Sequence, residues 1–193
     1  MRTVILASSS PYRKALLARL RLPFETVSPN VDETPKPGEQ AADLVKRLAS
    51  DKARAGGIGR APGTLVIGCD QCAVRGGAIL GKPGNFETAF QQLTHAAGRC
   101  VTFHTGLCLL DTATGDAQVD EVTATVRFRF LTDRQIATYL CKEQPYNCTG
   151  SFMSESLGIG LIEKFEGDDP TALIGLPLIR LTDMLQHAGI SIL

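Results

Sequence analysis

The start of the chain constrains its fold most, because it has the pattern of a buried strand running into the first turn of a helix. An apolar run, Val4–Ala7, is followed by three serines, Ser8–Ser10, and then by Pro11 and Arg13. Ser10 suits the helix N-cap, and Pro11 suits the first helical position, where no amide hydrogen is needed. Amides at a helix start attract phosphate, and the planar guanidinium of Arg13 suits phosphate oxygens. The segment therefore predicts either a phosphate-binding turn or an ordinary capped helix with a solvated arginine.

Hydrophobic periodicity indicates an α/β protein with a mixed sheet flanked by helices. Strands are predicted at residues 4–7, 24–28, 64–70, 101–111 and 119–131, with a last strand ending near 165, and helices at 11–20, 39–55, 86–96, 132–142 and 177–187. In the 119–131 strand, five apolar residues alternate with polar ones, which is typical of an antiparallel strand with one solvent-exposed face. They are Val122, Ala124, Val126, Phe128 and Phe130. No G-x-G-x-x-G sequence opens a helix, so a dinucleotide-binding fold is not expected.

Composition narrows the classes of function. The 193 residues fit one large domain or two closely joined lobes. Lys plus Arg (20) equals Asp plus Glu (20), so no overall positive field favours a nucleic acid polymer. No apolar run approaches the roughly 18 residues that cross a membrane, and the start lacks a signal-peptide pattern. With six cysteines scattered through apolar runs, we expect a cytoplasmic protein with reduced, packed thiols.

Charged side chains that suit phosphate and metal chemistry fall mainly in the first half of the chain. Glu33 lies in a proline-rich loop, Lys52 at the edge of the apolar stripe of the 39–55 helix, and Asp70 at the end of a buried strand. Ligands gather at the carboxyl ends of strands in open α/β sheets. Two carboxylates with Arg13, Lys52 and Lys82 suit a polyphosphate held by Mg²⁺ or Mn²⁺. The alternative for each residue alone is a solvated charge, and for Lys52 a side chain that snorkels to solvent.

Other chemical motifs are weaker. Cys69 and Cys72 form a C-x-x-C, but no second pair accompanies them and they fall on a strand end rather than at a helix start, so neither zinc nor redox chemistry is expected. His95, His104 and His187 do not have metal-ligand spacing, and His104 is interpreted as structural. Neither a G-x-S-x-G elbow nor a Walker A loop occurs. An aromatic content of 6% without Trp offers no platform for single-stranded RNA.

Eight short motifs occur in an order and spacing that resemble the Maf family of nucleoside triphosphate pyrophosphatases over nearly the whole chain. They are Ser8–Arg13, Val31–Glu33, Asp51–Ala53, Gly68–Gln71, Gly81–Pro83, Thr102–Gly106, Gly150–Phe152 with Ser154–Glu155, and Gly175–Pro177. The resemblance implies an α/β fold of the Maf/ITPase type, in which residues 1–193 form a single domain with two lobes around a central cleft. It also implies frequent homodimers, and divalent-metal-dependent release of pyrophosphate from a nucleotide to leave the monophosphate.

The resemblance assigns roles to individual residues. Asp70 matches the family's proton-accepting carboxylate and, with Glu33, forms the expected metal-binding pair. The substrate-binding set consists of Ser8, Ser10, Arg13, Lys52 and Lys82.

Three positions separate branches of the family, and this chain has Tyr12, Gln71 and Glu155 there. The dTTP/UTP branch typically has Arg, Thr and Gln, whereas the branch that acts on 7-methyl-GTP has an aromatic residue, Gln and Glu. Methylation at N7 makes guanine cationic, so the Tyr12 ring gains a cation–π interaction of about 0.5–2 kcal/mol. The carboxylate of Glu155 suits the N1–H and exocyclic amine of the base. Trp would stack more strongly than Tyr.

These residues predict a hydrolase that converts 7-methyl-GTP to 7-methyl-GMP and diphosphate by metal-assisted attack of water on the α-phosphorus. Its partner would be a small-molecule nucleotide. One alternative is a broader pyrophosphatase for dTTP, UTP or modified nucleotides. A second, of a different class, is a nucleotide-binding regulator of cell division.

Overall fold

The computed structural model describes residues 2–193, which contain seven strands and six α-helices. The strands are β1 (Val4–Ala7), β2 (Glu25–Val27), β3 (Leu65–Arg75), β4 (Ala78–Leu80), β5 (Cys100–Asp111), β6 (Ala117–Phe128) and β7 (Ile162–Glu166). The helices are α1 (Pro11–Ala18), α2 (Ala41–Gly57), α3 (Phe86–Ala96), α4 (Asp133–Glu143), α5 (Pro170–Ile174) and α6 (Leu178–His187). Two 3₁₀ segments, Thr149–Ser151 and Leu157–Leu161, precede β7.

The strands form one mixed sheet in the order β2-β1-β3-β5-β6-β7, with β4 paired to β3. Strand β1 is parallel to both β2 and β3, whereas β4 is antiparallel to β3 and β7 is antiparallel to β6. The predicted α/β class with a mixed sheet is therefore confirmed.

The chain divides into two compact units. The first unit comprises the chain up to Gln71, Thr105–Val122 and Asp169–Leu193, and the second comprises Cys72–His104 and Thr123–Asp168. Strands β3, β5 and β6 contribute residues to both units. The expectation of a single domain with a central cleft stays a prediction.

The first unit buries both faces of β1, which explains why Val4–Ala7 is continuously apolar. On one face, Leu6 belongs to a cluster with Leu16 of α1 and Leu181 of α6. On the other face, Ile5 belongs to a cluster with Ala49 and Ala53 of α2. Helices thus cover the central strands of this unit on both sides, while the carboxyl end of β1 leads directly into α1.

The second unit has an aromatic core around Phe152. Its ring centroid lies 6.0 Å from that of Phe103 and 5.3 Å from that of Phe128. The expected burial of alternate β6 residues holds for Phe128 but is wrong for Phe130, which is 88% exposed. The β6–β7 register shifts between Arg127 and Phe128, so the strand ends and the alternation ends with it.

Strand β3 continues to Arg75 rather than ending at Asp70 as predicted. Its pairing changes along its length, since the last residue paired with β1 is Gly68 and antiparallel pairing with β4 begins at Ala73. Asp70 therefore still lies just beyond the parallel part of the strand. The short helix α5, with Asp169 as its N-cap, was missed because five residues are too few to show periodicity.

Other predicted elements are confirmed. Helix α3 spans the predicted 86–96, and the helix predicted at 132–142 is α4, which has Thr132 as its N-cap in a capping box with Gln135. Among residues 2–193, no helix combines the length and apolar character that a membrane crossing requires.

Candidate active site

The turn between β1 and α1 has the predicted geometry. Pro11 is the first helical residue, and the Ser10 hydroxyl, as N-cap, accepts a hydrogen bond from the Arg13 amide at 3.4 Å. The hydroxyl of Ser8, only 7% exposed, accepts from the Ser10 amide at 3.2 Å. These bonds hold the start of α1 in the orientation that favours anions.

Helix α2 lies unusually close to the sheet because two glycines remove the side chains between them. A Cβ atom on Gly68 of β3 would lie 2.0 Å from the Ala49 carbonyl oxygen, and one on Gly106 of β5 would lie 2.1 Å from the Val45 carbonyl oxygen. Only glycine permits this approach. It brings Lys52 against the β3 backbone.

Lys52 joins the two predicted metal ligands. Its Nζ lies 2.6 Å from Glu33 Oε1 and 2.5 Å from Asp70 Oδ1. The lysine is only 7% exposed, so the snorkelling alternative is excluded. The two carboxylate oxygens contact the same nitrogen, so they lie close enough to share one cation.

The donor set at this point suits a hard divalent cation. Mg²⁺ and Mn²⁺ prefer oxygen ligands and are commonly held by one or two carboxylates together with substrate phosphates. Glu33 and Asp70 supply two carboxylates that already converge on one positive charge. No three His, Cys, Asp or Glu side chains cluster in the described part of the chain, here or elsewhere, so a cation at this point would take its remaining ligands from substrate and water.

Arg13 is held by the backbone rather than solvated. Its Nη1 donates to the Cys69 carbonyl oxygen at 2.8 Å, and its Nε donates to the Gly175 carbonyl oxygen at 2.9 Å. The Cys69 thiol donates to the same Gly175 oxygen, with Sγ at 2.9 Å. Arg13 is therefore tied to the residue that precedes Asp70 in β3.

Burial raises the pKa of the Cys69 thiol to about 11, with the Asp70 charge adding to the effect. The thiol is therefore protonated at neutral pH and acts as a hydrogen-bond donor. Cys72 is also buried. Both findings agree with the expectation that this C-x-x-C does not perform thiol chemistry.

Gln71 uses its side-chain amide nitrogen inside the first unit. Nε2 lies 2.8 Å from the Ala172 carbonyl oxygen, 3.2 Å from that of Leu173 and 3.0 Å from Thr105 Oγ1. Carbonyls only accept, which fixes the nitrogen rather than the oxygen toward them. Thr105 Oγ1 in turn donates to the Ala172 oxygen at 3.0 Å.

The remaining predicted residues are Tyr12, Lys82 and Glu155. Tyr12 is half-buried on α1 of the first unit. Lys82 and Glu155 are exposed and belong to the second unit. Ser154 Oγ donates to Glu155 Oε2 at a long 3.4 Å. Their roles stay predictions.

Within the first unit, the structure joins Glu33, Lys52 and Asp70 by ion pairs and ties Arg13, which Ser10 caps, to the residue before Asp70. Gln71, the next residue of β3, instead contacts Thr105 and the carbonyl oxygens of α5. Sequence reasoning gave no role to Thr105 and Gly175, which hold Gln71 and Arg13. Both fall in motifs that carry the family resemblance, and this was the available signal. Each contacts a residue distant in sequence, Gly175 through its backbone carbonyl and Thr105 through its hydroxyl, and no local sequence pattern predicts such a contact.

The chain is similar to known proteins over nearly its whole length. Proteins named 7-methyl-GTP pyrophosphatase are 57% identical over 191 residues in Nitrosococcus oceani (99% of this chain, 96% of that protein) and 54% identical over 192 residues in Pseudomonas aeruginosa (100% of each). A HAM1 protein from Coxiella burnetii aligns with 66% of this chain and 73% of its own at 15% identity and a TM-score of 0.46, a partial likeness only. The model of the Maf-like protein family matches residues 3–188. The chain belongs to the Maf-like protein family.

Proposed function

We propose that this protein hydrolyses 7-methyl-GTP to 7-methyl-GMP and diphosphate, with water attacking the α-phosphorus. The observation that carries the proposal is the convergence of Glu33 and Asp70 on Lys52 Nζ, with Arg13 of α1 bonded to the backbone of Cys69, the residue before Asp70. Relatives that are more than half identical over nearly their whole length bear the name of this activity. Together they support a pyrophosphatase rather than a binding protein.

In the proposed reaction, Asp70 accepts a proton from water as the new bond to the α-phosphorus forms and the α–β anhydride bond breaks. Arg13 and the amides at the start of α1 bind phosphate oxygens, and Ser8 and Ser10 keep those amides in place. Lys52 balances the charge of the two carboxylates. Mg²⁺ or Mn²⁺ on Glu33 and Asp70 would supply Lewis-acid charge for the developing negative charge on the phosphates.

Base selection is assigned by the family resemblance to Tyr12, Gln71 and Glu155, and further phosphate binding to Lys82. A cationic 7-methylguanine favours an aromatic face and a carboxylate over the Arg and Gln typical of the pyrimidine branch. We also propose, on the same resemblance, that the protein acts as a homodimer in the cytoplasm. Analytical ultracentrifugation tests the oligomeric state.

The first test is Asp70→Asn, which keeps the shape of the side chain but removes its basicity. We expect pyrophosphate release from 7-methyl-GTP to fall at least about hundredfold, since a general base contributes about 10²–10⁴-fold. Circular dichroism checks that the variant is folded. Near-normal turnover would show that Asp70 does not have this role.

The matched control is Asp111→Asn in the same unit. Asp111 pairs with Arg2, and that guanidinium lowers the pKa of its carboxyl. Its loss is expected to leave turnover unchanged.

Chelation is expected to abolish activity in the parent protein, and Mg²⁺ or Mn²⁺ to restore it.

A substrate panel separates the alternatives. Turnover of 7-methyl-GTP well above that of GTP, dTTP and UTP supports the proposal, whereas equal turnover indicates the broader pyrophosphatase. Nucleotide binding without multiple turnover would indicate the regulator of cell division.

A further inference from the structure

The carbonyl oxygen of Gly175 receives two hydrogen bonds from the proposed phosphate site. Arg13 Nε donates to it at 2.9 Å, and Cys69 Sγ donates to it at 2.9 Å. Arg13 Nη1 closes the ring by donating to the Cys69 carbonyl oxygen at 2.8 Å. Three residues from α1, β3 and the segment between α5 and α6 therefore form one closed set of hydrogen bonds, which we call the Gly175 clamp.

The clamp leaves Arg13 able to bind phosphate. A guanidinium has five N–H donors in a rigid plane. The clamp uses the single Nε donor and one on Nη1, so the second donor of Nη1 and both of Nη2 remain. Because the plane is rigid, two fixed donors set the direction of the other three.

Gly175 suits this position because of its backbone conformation. Its backbone has φ of 120° and ψ of 9°, a region that residues with a side chain rarely adopt. A Cβ atom there would lie 3.4 Å from Arg13 Nε, at van der Waals contact, so the conformation rather than space is what requires glycine. Any other residue would strain the backbone at the carbonyl that holds Arg13.

We infer that Gly175, together with Cys69, is a positioning residue that fixes the Arg13 guanidinium for binding the triphosphate chain. The inference rests on the proposed function only in taking Arg13 as a phosphate ligand. Neither Gly175 nor the Cys69 thiol needs to touch substrate.

The test is Gly175→Ala, compared with Gly189→Ala. Gly189 also has a positive φ, of 81°, but a Cβ atom there meets nothing within 4 Å. Gly175→Ala is expected to raise KM for 7-methyl-GTP about tenfold with kcat within about threefold, because a misdirected arginine loses binding common to ground and transition states. Gly189→Ala should change neither constant. If Gly175 were only structural, its variant would lower the folded fraction and thus apparent kcat at unchanged KM.

A double-mutant cycle tests whether Gly175 acts through Arg13. In an Arg13→Ala background the clamp has nothing to position, so adding Gly175→Ala is expected to change KM by less than about twofold. If the two substitutions instead multiply their effects on KM, Gly175 does not act through Arg13 and the inference is overturned.

Two variants of Cys69 test the positioning of Arg13 without changing a residue of positive φ. They replace the Gly175 test if Gly175→Ala does not fold. Cys69→Ala is expected to raise KM about threefold, and Cys69→Ser, which keeps a donor, to restore it. Equal KM values for Cys69→Ala, Cys69→Ser and the parent protein would overturn the role of the thiol and, without a folded Gly175 variant, the inference.

Binding of inorganic triphosphate, measured by calorimetry, separates failure of the clamp from failure of the proposed function. A parent protein that releases no pyrophosphate from any nucleotide overturns the proposed function. A weaker triphosphate Kd in Gly175→Ala but not in Gly189→Ala would still support the clamp, and equal Kd values would overturn it.

Discussion

Lys52 and Lys82 are both predicted to serve a phosphate-handling site, yet their surroundings are opposite. Lys52, in the first unit, is 7% exposed and fixed by two carboxylates at 2.6 and 2.5 Å. Lys82, in the second unit, is exposed on the loop after β4. The same contrast separates Asp70, beside the buried lysine, from the exposed Glu155. Lys52 and Asp70, which are assigned to the chemical step, are fixed by ion pairs, whereas Lys82 and Glu155 lie on exposed loops of the second unit.

The difference follows from how each unit is packed. In the first unit, α2 lies directly on β3 and β5, so little freedom remains for a side chain at their junction. Preorganised charge stabilises a transition state without reorganisation during the reaction. An exposed loop residue such as Glu155 can change between relatives without disturbing the core, which suits the selection of different bases.

The largest effect is expected where this packing is broken. Gly68→Ala would place a Cβ atom 2.0 Å from the Ala49 carbonyl oxygen and 2.6 Å from the Ala53 amide nitrogen. The helix must move away, so we expect a loss of about 3 kcal/mol in the free energy of unfolding, at the upper end for overpacked sites. Because Lys52 moves with the helix, kcat/KM should also fall. Urea unfolding and pyrophosphate release measure the two effects.

Gly160→Ala is the counterpart in the second unit, since a Cβ atom there meets nothing within 4 Å. It is expected to change the free energy of unfolding by less than about 0.5 kcal/mol. Equal losses for Gly68→Ala and Gly160→Ala would show that close packing is not what fixes the first unit.

A smaller effect is expected at the exposed recognition position. Glu155→Gln removes the charge that favours a cationic base, so the ratio of kcat/KM for 7-methyl-GTP to that for GTP should fall about tenfold, with stability unchanged. Glu163→Gln, at another exposed glutamate of the second unit, controls for the loss of one negative charge. An unchanged ratio in Glu155→Gln would remove Glu155 from the specificity set.

The contrast also explains what the sequence could reveal. The Ser10 cap and the burial of Phe128 were predictable, because capping and periodicity are local patterns. For Lys52 the sequence left two alternatives, a side chain that reaches solvent or one that points into the protein, because its ion-pair partners lie 18 and 19 residues away in the chain. The structure shows the second alternative, because Gly68 lets α2 approach β3 closely. Hydrophobic periodicity does not reveal this packing role of a glycine.

The Gly175 clamp was not predictable for a related reason. Its acceptor is a backbone carbonyl, which every residue type carries, and its donors come from segments 106 and 162 residues away. The burial predicted for Phe130 was wrong for a different reason. The alternating sequence pattern continues past the residue where the β6–β7 register shifts, although the strand does not. Local patterns predict elements, whereas the meeting of distant segments decides the site.

The smallest effect is expected in the pH dependence of stability, which we compare for one ion pair in each unit. In the first unit, Arg47 makes two hydrogen bonds to Glu39, at 2.6 and 2.8 Å, and lowers the pKa of that carboxyl to about 2. In the second unit, the Lys164 ammonium lowers the pKa of the Glu166 carboxyl, but both side chains are more than half exposed. A lowered folded-state pKa stabilises the protein above the unfolded value and is lost as pH falls through the folded value.

For Glu39 that window lies between pH 4.5 and about 2. Glu39→Gln should therefore be less stable than the parent protein above pH 4.5, and the difference should shrink toward pH 2. Glu166→Gln should show a smaller difference, because solvent screens an exposed pair. Urea unfolding at a series of pH values measures both. If the two variants gave the same difference, the rigidity of the first unit would be confined to the junction of α2 with the sheet and would not extend to the start of that helix.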